Sequence, residues 1–220
     1  MALPRLLLLE LALYACCFIC GIITAASLTI SQGDFEGSCI LYGTVHLNGS
    51  DLTLSQSSSP SICYFVSAIS VCVAVFCFSS LLYWVYTSCL DGDIKRERIW
   101  MNLSLVVCGV FLFFLLVTGC ILKVGRDRLC ESVLHDGLNI TRCDEAQSKP
   151  WAKPLNGNSF YSRLHSAETA VWVNFFCWMI IAVLVVLQRR GGSEYRSREE
   201  DPGASSSETE PFLNRPGHPQ

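Results

Sequence analysis

Four long apolar stretches constrain this chain more than any other feature. They cover about residues 6–30, 62–86, 99–122 and 169–187 of 220, and a helix needs roughly 20 apolar residues to cross a bilayer core. Hydrophobic residues make up 51% of the sequence and charged residues only 16%, which is typical of membrane proteins. We therefore expect an all-α membrane protein with a four-helix transmembrane bundle.

The polar segments between the spans divide the chain further. We expect residues 1–187 to form the tetraspan membrane domain, with outside loops at 31–61 and 123–168 and a short charged link, "CLDGDIKRER", between spans two and three. Residues 188–220, rich in Ser, Glu, Pro and Gly, are expected to be a disordered cytoplasmic tail. The net charge of −3 comes without a basic block, so the lipid bilayer is an expected partner and nucleic acid is not.

Charge orients the first two spans. The first outside loop contains no Lys or Arg, whereas the short link carries Lys95, Arg96 and Arg98, and basic residues concentrate on the cytoplasmic side. Span three, however, leads into another basic group, which has the wrong sign for an outside loop: Lys123, Arg126 and Arg128.

Two glycosylation sequons resolve this conflict. Asn48 and Asn139 each begin an N-x-S/T sequence in the middle of an outside loop, where a luminal acceptor must lie. A third such sequence, at Asn102, falls inside a span and is set aside. We therefore predict glycans on Asn48 and Asn139 and cytoplasmic termini.

The first span also has features of a secretory signal, because Arg5 precedes the apolar run and small residues surround Ala26. Its apolar region is longer than that of the usual signal. An uncleaved span is favoured, and both alternatives export the first outside loop.

Four of the 13 cysteines lie in the outside loops: Cys39, Cys63, Cys130 and Cys143. An oxidising lumen favours disulfides, and four cysteines allow three connectivities. The within-loop pairs Cys39–Cys63 and Cys130–Cys143 are preferred because sequential closure is simplest. Cross-loop pairing remains an alternative.

The other nine cysteines lie in or beside the spans, where a thiol usually acts as a small hydrophobe. Cys17 and Cys20 form a C-x-x-C pattern of the redox type, but near mid-span neither water nor a cation stabilises a thiolate. Cys89, next to the charged link, is a candidate for S-palmitoylation.

His165 and Glu168 stand three residues apart, a spacing that suits a metal site or an acid/base pair on one helix turn. The same residues resemble a helix start, with Ser166 as N-cap and Glu168 in the first turn. No third ligand or nucleophile accompanies them, so we expect the start of span four. No catalytic residue, metal or cofactor is expected.

Transport usually requires buried ionisable groups within the membrane. Glu10 is the one candidate in the spans, and Asn102 and Asn174 fall near span ends. These residues suggest no ion path, so transport is not the preferred function. A transporter or channel subunit is the alternative function.

The first outside loop carries a hairpin pattern. Asn48-Gly49 is flanked by apolar residues at alternating positions on both sides, which is a strong hairpin indication. A small extracellular β-hairpin or sheet is expected, stabilised by Cys39–Cys63 because an isolated hairpin is marginal. The segment "KPWAKPLNGN" predicts an irregular ordered loop around Trp151.

The tail contains a pattern similar to an acidic dileucine sorting signal. Glu208 precedes the adjacent apolar pair Phe212 and Leu213, and a sorting adaptor would need such an acidic residue and apolar pair on a flexible strand. Ser205 and Ser207 each precede an acidic residue by three positions, so phosphorylation would add negative charge. The alternative is that the apolar pair is incidental.

Four stretches in order, "LYGTVHLNGS", "SICYFV", "CDEAQSKPW" and "FYSRLHSAETAVWVN", resemble the transmembrane protein 179 family. The resemblance covers almost the whole chain. It implies a multi-pass membrane protein with a claudin-like arrangement of four helices under a small extracellular sheet, and no catalytic residues. The first loop lacks the W-x-x-L-W of true claudins, and Cys130 and Cys143 do not form the Cys-Cys-Gly of tetraspanins.

Taken together, these patterns predict a non-enzymatic adaptor, packing partner or trafficking factor that acts through lateral and extracellular contacts. The expected partners are another membrane protein and, at the tail, a sorting adaptor. The expected locations are the plasma membrane and/or endosomal-lysosomal or secretory-granule membranes.

Overall fold

Four long helices dominate the computed structural model, which describes residues 2–48, 51–90, 98–135 and 141–199. They are α1 (Ala2–Asp34), α2 (Pro60–Leu90), α3 (Arg98–His135) and α4 (Phe160–Glu199). Each is long and apolar enough to cross a membrane. The expected four-helix membrane bundle is confirmed.

Trp178 of α4 lies where the four helices meet. Its side chain is fully buried, and its ring centroid lies 6.0 Å from that of Tyr14 in α1, 5.9 Å from Phe76 in α2 and 4.9 Å from Phe111 in α3. Aromatic pairs at such separations add to the energy of burial. One residue therefore links α4 to each of the other helices.

Gly21 brings α1 and α2 close together. A Cβ atom at this position would lie 2.8 Å from the carbonyl oxygen of Ser70 and 3.0 Å from Cβ of Ala74. Small residues allow membrane helices to approach in this way, and dispersion contacts then hold them together.

The hairpin between α1 and α2 consists of β1 (Cys39–Asn48) and β2 (Asp51–Ser58), which pair antiparallel with Asn48 opposite Asp51. This confirms the hairpin prediction. The outer edge of β1 lies against α3: the Val45 N–H donates to Oγ of Ser132 at 2.8 Å, and that hydroxyl donates back to the Val45 carbonyl at 3.3 Å. The contact covers a strand edge that would otherwise be open.

Trp151 fixes the irregular segment that precedes α4. It forms a parallel bridge with Leu52, in which Leu52 N–H donates to Pro150 O and Ala152 N–H donates to Leu52 O, each at 2.9 Å. The Trp151 ring meets Phe35 edge-on at 5.3 Å. The expected ordered loop around Trp151 is therefore present, and it extends the hairpin by one short pairing.

Both disulfides join residues of the same outside segment. Cys39 is bonded to Cys63, which ties β1 to α2, and Cys130 is bonded to Cys143, which ties α3 to a short 3₁₀ helix over Cys143–Ser148. The within-loop pairing is confirmed, and the cross-loop alternative is wrong. Loops of this length give each bond on the order of 3 kcal/mol of stabilisation.

The helices extend past the ends of the apolar stretches. On the hairpin side, α3 continues to His135 and α4 already begins at Phe160, so Ser166 lies inside the helix and is not its N-cap. Apolar length reports only the part of a helix that crosses the bilayer core. At the other end, α4 runs on to Glu199, through the first residues of the segment assigned to the tail.

Candidate functional site

The interface between α1 and α4 contains several of the polar groups that the spans bury, including Glu10, Thr24 and Asn174. Glu10, Tyr14, Cys17, Thr24 and Leu28 of α1 are all buried, and their spacing of three, four or seven residues places them on one face of the helix. This face meets α4 along its length. We call this contact the α1–α4 interface.

Glu10 lies at the end of this interface farthest from the hairpin. Its side chain is 1% exposed, and the Gln188 side-chain amide donates a hydrogen bond to its carboxylate at 3.4 Å. Burial without a partner would be costly for a carboxyl group in a membrane. Glu10 therefore connects α1 to α4 and does not reach out to the headgroups.

Asn174 occupies the middle of the interface. Its side chain is buried, and its amide N–H donates to the backbone carbonyl of Cys17 at 3.5 Å. The sequence placed Asn174 near a span end, which is wrong, because the membrane helix runs from Phe160 to Arg190. The apolar stretch begins only at Thr169, whereas the helix begins at Phe160, so Asn174 lies well inside it.

Five cysteines surround this point, on α1, α2 and α4, and form what we call the thiol cluster: Cys16, Cys17, Cys20, Cys77 and Cys177. The Cys177 and Cys16 sulfurs lie 3.7 Å apart across the α1–α4 interface. The Cys17 thiol interacts with Cys77 and Cys177, and the Cys20 thiol with Cys16. The C-x-x-C pattern singles out Cys17 and Cys20, whereas the Cys16–Cys177 contact crosses between helices, which no local spacing reveals.

On the hairpin side, the interface ends in hydrogen bonds and an ion pair. The Thr24 hydroxyl donates to the Cys20 carbonyl at 3.0 Å and to the Ala167 carbonyl at 3.5 Å. Arg163 of α4 forms an ion pair with Asp34 at the end of α1. These contacts fix the two helices to each other just below the hairpin.

His165 and Glu168 have separate surroundings. Glu168 is buried and forms an ion pair with Arg126 of α3, whereas the exposed His165 stacks on Tyr161 with ring centroids 6.1 Å apart. Among the residues that the structure describes, no group of three or more His, Cys, Asp and Glu side chains is arranged to hold a metal ion. Glu168 therefore serves a contact with α3, and His165 takes no part in it.

The basic residues after span three are each matched by an acidic one. Lys123 pairs with Asp127 at 3.4 Å and Arg128 pairs with Glu131 at 3.5 Å, both along the exposed side of α3, while Arg126 points inward to α4. These pairs neutralise the segment locally, but the positive-inside rule counts Lys and Arg and gives little weight to Asp and Glu, so the prediction for the side of this segment still comes from the glycosylation sequons. Sequence reasoning noted the cations but missed their partners.

The structure describes only some of the positions predicted for modification and sorting. Asn48 is exposed at the end of β1, and Cys89 lies near the end of α2. The structure describes the backbone of Cys89 but not its side chain. Six positions lie outside the described residues and stay predictions: Asn139, Ser205, Ser207, Glu208, Phe212 and Leu213.

Comparison with known proteins identifies the family. Residues 6–213 match the family model described as the Transmembrane protein 179/179B Claudin domain. The chain is 69% identical to Transmembrane protein 179B of Danio rerio over 219 residues, which covers all of both chains. It is 44% identical to the Homo sapiens protein of that name over 97% of each chain, and 40% identical to the Mus musculus one over 100% of this chain and 99% of the relative.

No solved structure matches the chain. The family model covers the four helices and the hairpin, and its claudin domain agrees with the observed architecture of helices under a small sheet. The chain is therefore a multi-pass membrane protein that belongs to the transmembrane protein 179/179B claudin-domain family.

Proposed function

We propose that this protein is a non-enzymatic membrane adaptor or packing partner that acts through its lipid-facing helix surfaces and its hairpin. The observation that carries the proposal is that the buried polar groups form hydrogen bonds between helices of the same protein. Glu10 is bound by Gln188, and Asn174 donates to Cys17, so these groups serve contacts between helices. In membranes, such hydrogen bonds contribute to helix association.

The part of the protein on the hairpin side supports the same proposal. Two disulfides, the Val45–Ser132 contact and the Trp151 pairing hold it against the helix ends. A rigid surface of this kind loses little conformational entropy when it binds another protein. His46, Leu47 and Asn48 are exposed at the tip of β1, where a partner in the same or an opposing membrane would meet them.

Trafficking is the third element of the proposal. We infer that Glu208, Phe212 and Leu213 bind a sorting adaptor and that phosphate on Ser205 or Ser207 strengthens the contact. Lipidation of Cys89 would hold the end of α2 at the membrane. The resident membranes would then be the plasma membrane together with endosomal-lysosomal or secretory-granule membranes.

The sorting proposal predicts a change in distribution. Replacing Phe212 and Leu213 by alanine should move the protein from internal membranes to the cell surface, because the adaptor pocket loses both apolar side chains. Surface biotinylation measures the ratio. The matched control in the same tail is Pro216→Ala with Pro219→Ala, which should leave the ratio unchanged. An unaltered ratio in the Phe212/Leu213 variant would remove the sorting proposal.

A transporter or channel subunit is the second candidate, because Glu10 and Asn174 are buried within membrane-spanning helices and such residues often mark a transport path. Ion flux into liposomes containing the purified protein tests it. The adaptor proposal expects flux equal to that of empty liposomes. A flux that Glu10→Gln abolishes would favour the transporter instead.

A further inference from the structure

The contact between Cys16 and Cys177 plays no part in the function proposed above. The two sulfurs lie 3.7 Å apart, on helices whose cysteines are far separated in sequence. A disulfide bond is about 2 Å long, so the sulfurs would have to approach by roughly 1.7 Å, which is within the reach of side-chain rotation and a small helix shift.

We propose that Cys16 and Cys177 form an oxidisable dithiol, a modification site at which an organic hydroperoxide dissolved in the membrane links α1 to α4 through a disulfide bond. The site differs from the two disulfides of the outside segments, which lie on the hairpin side. It also differs from the C-x-x-C pair, because Cys17 and Cys20 belong to the same helix.

Exposure decides which sulfur reacts first. Cys16 is only half-buried, whereas Cys177 is 9% exposed and Cys17 and Cys77 are fully buried. An apolar hydroperoxide that arrives from the lipid therefore reaches Cys16 before the rest of the thiol cluster. Cys177 lies directly behind it, in the position of a resolving thiol.

The reaction balances with the hydroperoxide as the oxidant. The Cys16 sulfur attacks the terminal peroxide oxygen, the O–O bond breaks, and the thiol proton passes to the departing alkoxide, which leaves as an alcohol. The Cys177 sulfur then attacks the sulfenic sulfur of Cys16, the S–O bond breaks, and the hydroxyl group leaves with the Cys177 proton as water. Two thiols are oxidised to one disulfide and one peroxide is reduced.

No water or cation stabilises a thiolate at this depth, so Cys16 reacts as a thiol and gives up its proton in the same step in which the S–O bond forms. Water to carry protons is scarce in the bilayer core, but the Cys16 sulfur contacts both Cys177 and Cys20, so a proton can pass directly between neighbouring sulfurs. Cys72 and Cys120 are exposed on α2 and α3, and neither makes a hydrogen bond to another thiol within the described part of the chain. They can be oxidised but have no partner to resolve the sulfenic acid.

The connectivity of the chain allows a simple test. A protease site inserted into residues 91–97 of the full-length protein separates α1 and α2 from α3 and α4 when it is cut. Each known disulfide lies within one half, Cys39–Cys63 in the first and Cys130–Cys143 in the second. The two halves therefore stay together on a non-reducing gel only if a new disulfide joins them.

Membranes that contain this protein are treated with tert-butyl hydroperoxide, alkylated in denaturant with N-ethylmaleimide, and cut. We expect the joined species to become dominant, to separate with dithiothreitol, and to yield a peptide with Cys16 bonded to Cys177. Cys16→Ser and Cys177→Ser should each abolish it, whereas the matched variants Cys72→Ser and Cys120→Ser should retain it.

Three results would overturn the proposal. The first is that the two halves separate after hydroperoxide treatment in the protein that keeps all its cysteines, although dimedone labelling shows that the treatment has oxidised Cys72 and Cys120. The others are persistence of the joined species in Cys16→Ser and a linked peptide that contains Cys17. Retention of the Cys39–Cys63 and Cys130–Cys143 disulfides in each serine variant shows that the variant has folded, so a lost link is then due to the missing thiol.

Discussion

Two carboxylates on the hairpin side each meet an arginine from another helix. Asp34 of α1 pairs with Arg163 of α4, and Glu168 of α4 pairs with Arg126 of α3. The second pair is the more buried, with side chains 13% and 11% exposed for Arg126 and Glu168. Removal of one member of such a pair leaves the other charge without compensation in a poorly solvated place.

Arg126→Met should therefore destabilise the protein strongly, by about 3 kcal/mol, because Glu168 would stay buried and unpaired. The control is Arg128→Met, whose pair with Glu131 is largely exposed and should be worth less than about 1 kcal/mol. Denaturant titration of the detergent-solubilised protein measures both. The double variant Arg126→Met/Glu168→Leu should recover part of the lost stability. Equal losses of stability in Arg126→Met and Arg128→Met would contradict a larger contribution from the buried pair.

Local sequence patterns predicted the cysteine pairs but not the ion pairs between helices. The cysteines of the outside segments were paired correctly, because each pair closes a short loop. Arg126 and Glu168 were not paired, since their contact depends on α3 continuing as a helix beyond its apolar part. Spacing along one helix instead linked Glu168 with His165, which faces another environment.

The helices themselves are held by close approach as well as by polar contacts. Gly21 lets α1 reach the backbone of α2 at Ser70, while Trp178 fills the space between all four helices. Residues on both sides of Ala26, such as Cys17 and Leu28, belong to the core. We therefore propose that α1 is retained and is not removed as a signal.

Gly21→Ala should destabilise the bundle by about 1–3 kcal/mol, because the new methyl group would overpack the contact with Ser70 and Ala74. Gly33→Ala on the same helix is the matched control: no atom lies within 4 Å of the added Cβ, and the gain in helix propensity is at most about 1 kcal/mol. Denaturant titration should show a lower free energy of unfolding for Gly21→Ala than for the parent protein, and an equal or higher one for Gly33→Ala. Similar behaviour of both would contradict the close approach of α1 and α2.

Apolar length predicted the number and order of the helices but not their ends. The hydrocarbon core of a bilayer fixes how many apolar residues a span needs, and nothing in that requirement stops a helix at the membrane surface. On α3, the Lys123–Asp127 pair at i,i+4 supports further turns. The hairpin was predicted because Asn48-Gly49 has a strong local preference, whereas its contact with Ser132 depends on the tertiary structure.

The whole molecule has apolar helix faces along its membrane spans and, on one side, the hairpin and the Trp151 segment held by two disulfides. Large apolar side chains are exposed along each membrane helix, including Ile19 in α1, Phe78 in α2, Phe113 in α3 and Phe176 in α4. In a membrane these faces contact lipid or another protein.

We predict that Asn48 and Asn139 carry glycans, so that the hairpin side is luminal or extracellular and both termini are cytoplasmic. Asn48→Gln and Asn139→Gln should each lower the apparent mass by one glycan step, and the double variant should be insensitive to a glycan-removing enzyme. Asn102→Gln is the matched control and should change nothing. If neither single variant shifts, or if a C-terminal tag is accessible on intact cells, the proposed orientation is wrong.

Position-specific photo-crosslinking in living cells tests whether the protein acts through its outward surfaces. A photoreactive residue is placed at Leu47 on the hairpin, at Phe113 and Phe176 on lipid-facing helix surfaces, and at the buried position Leu41 as a control. We predict that Leu47 or a lipid-facing position captures the same membrane protein reproducibly and that Leu41 captures none. Capture of lipid alone at every outward position would contradict an adaptor or packing role.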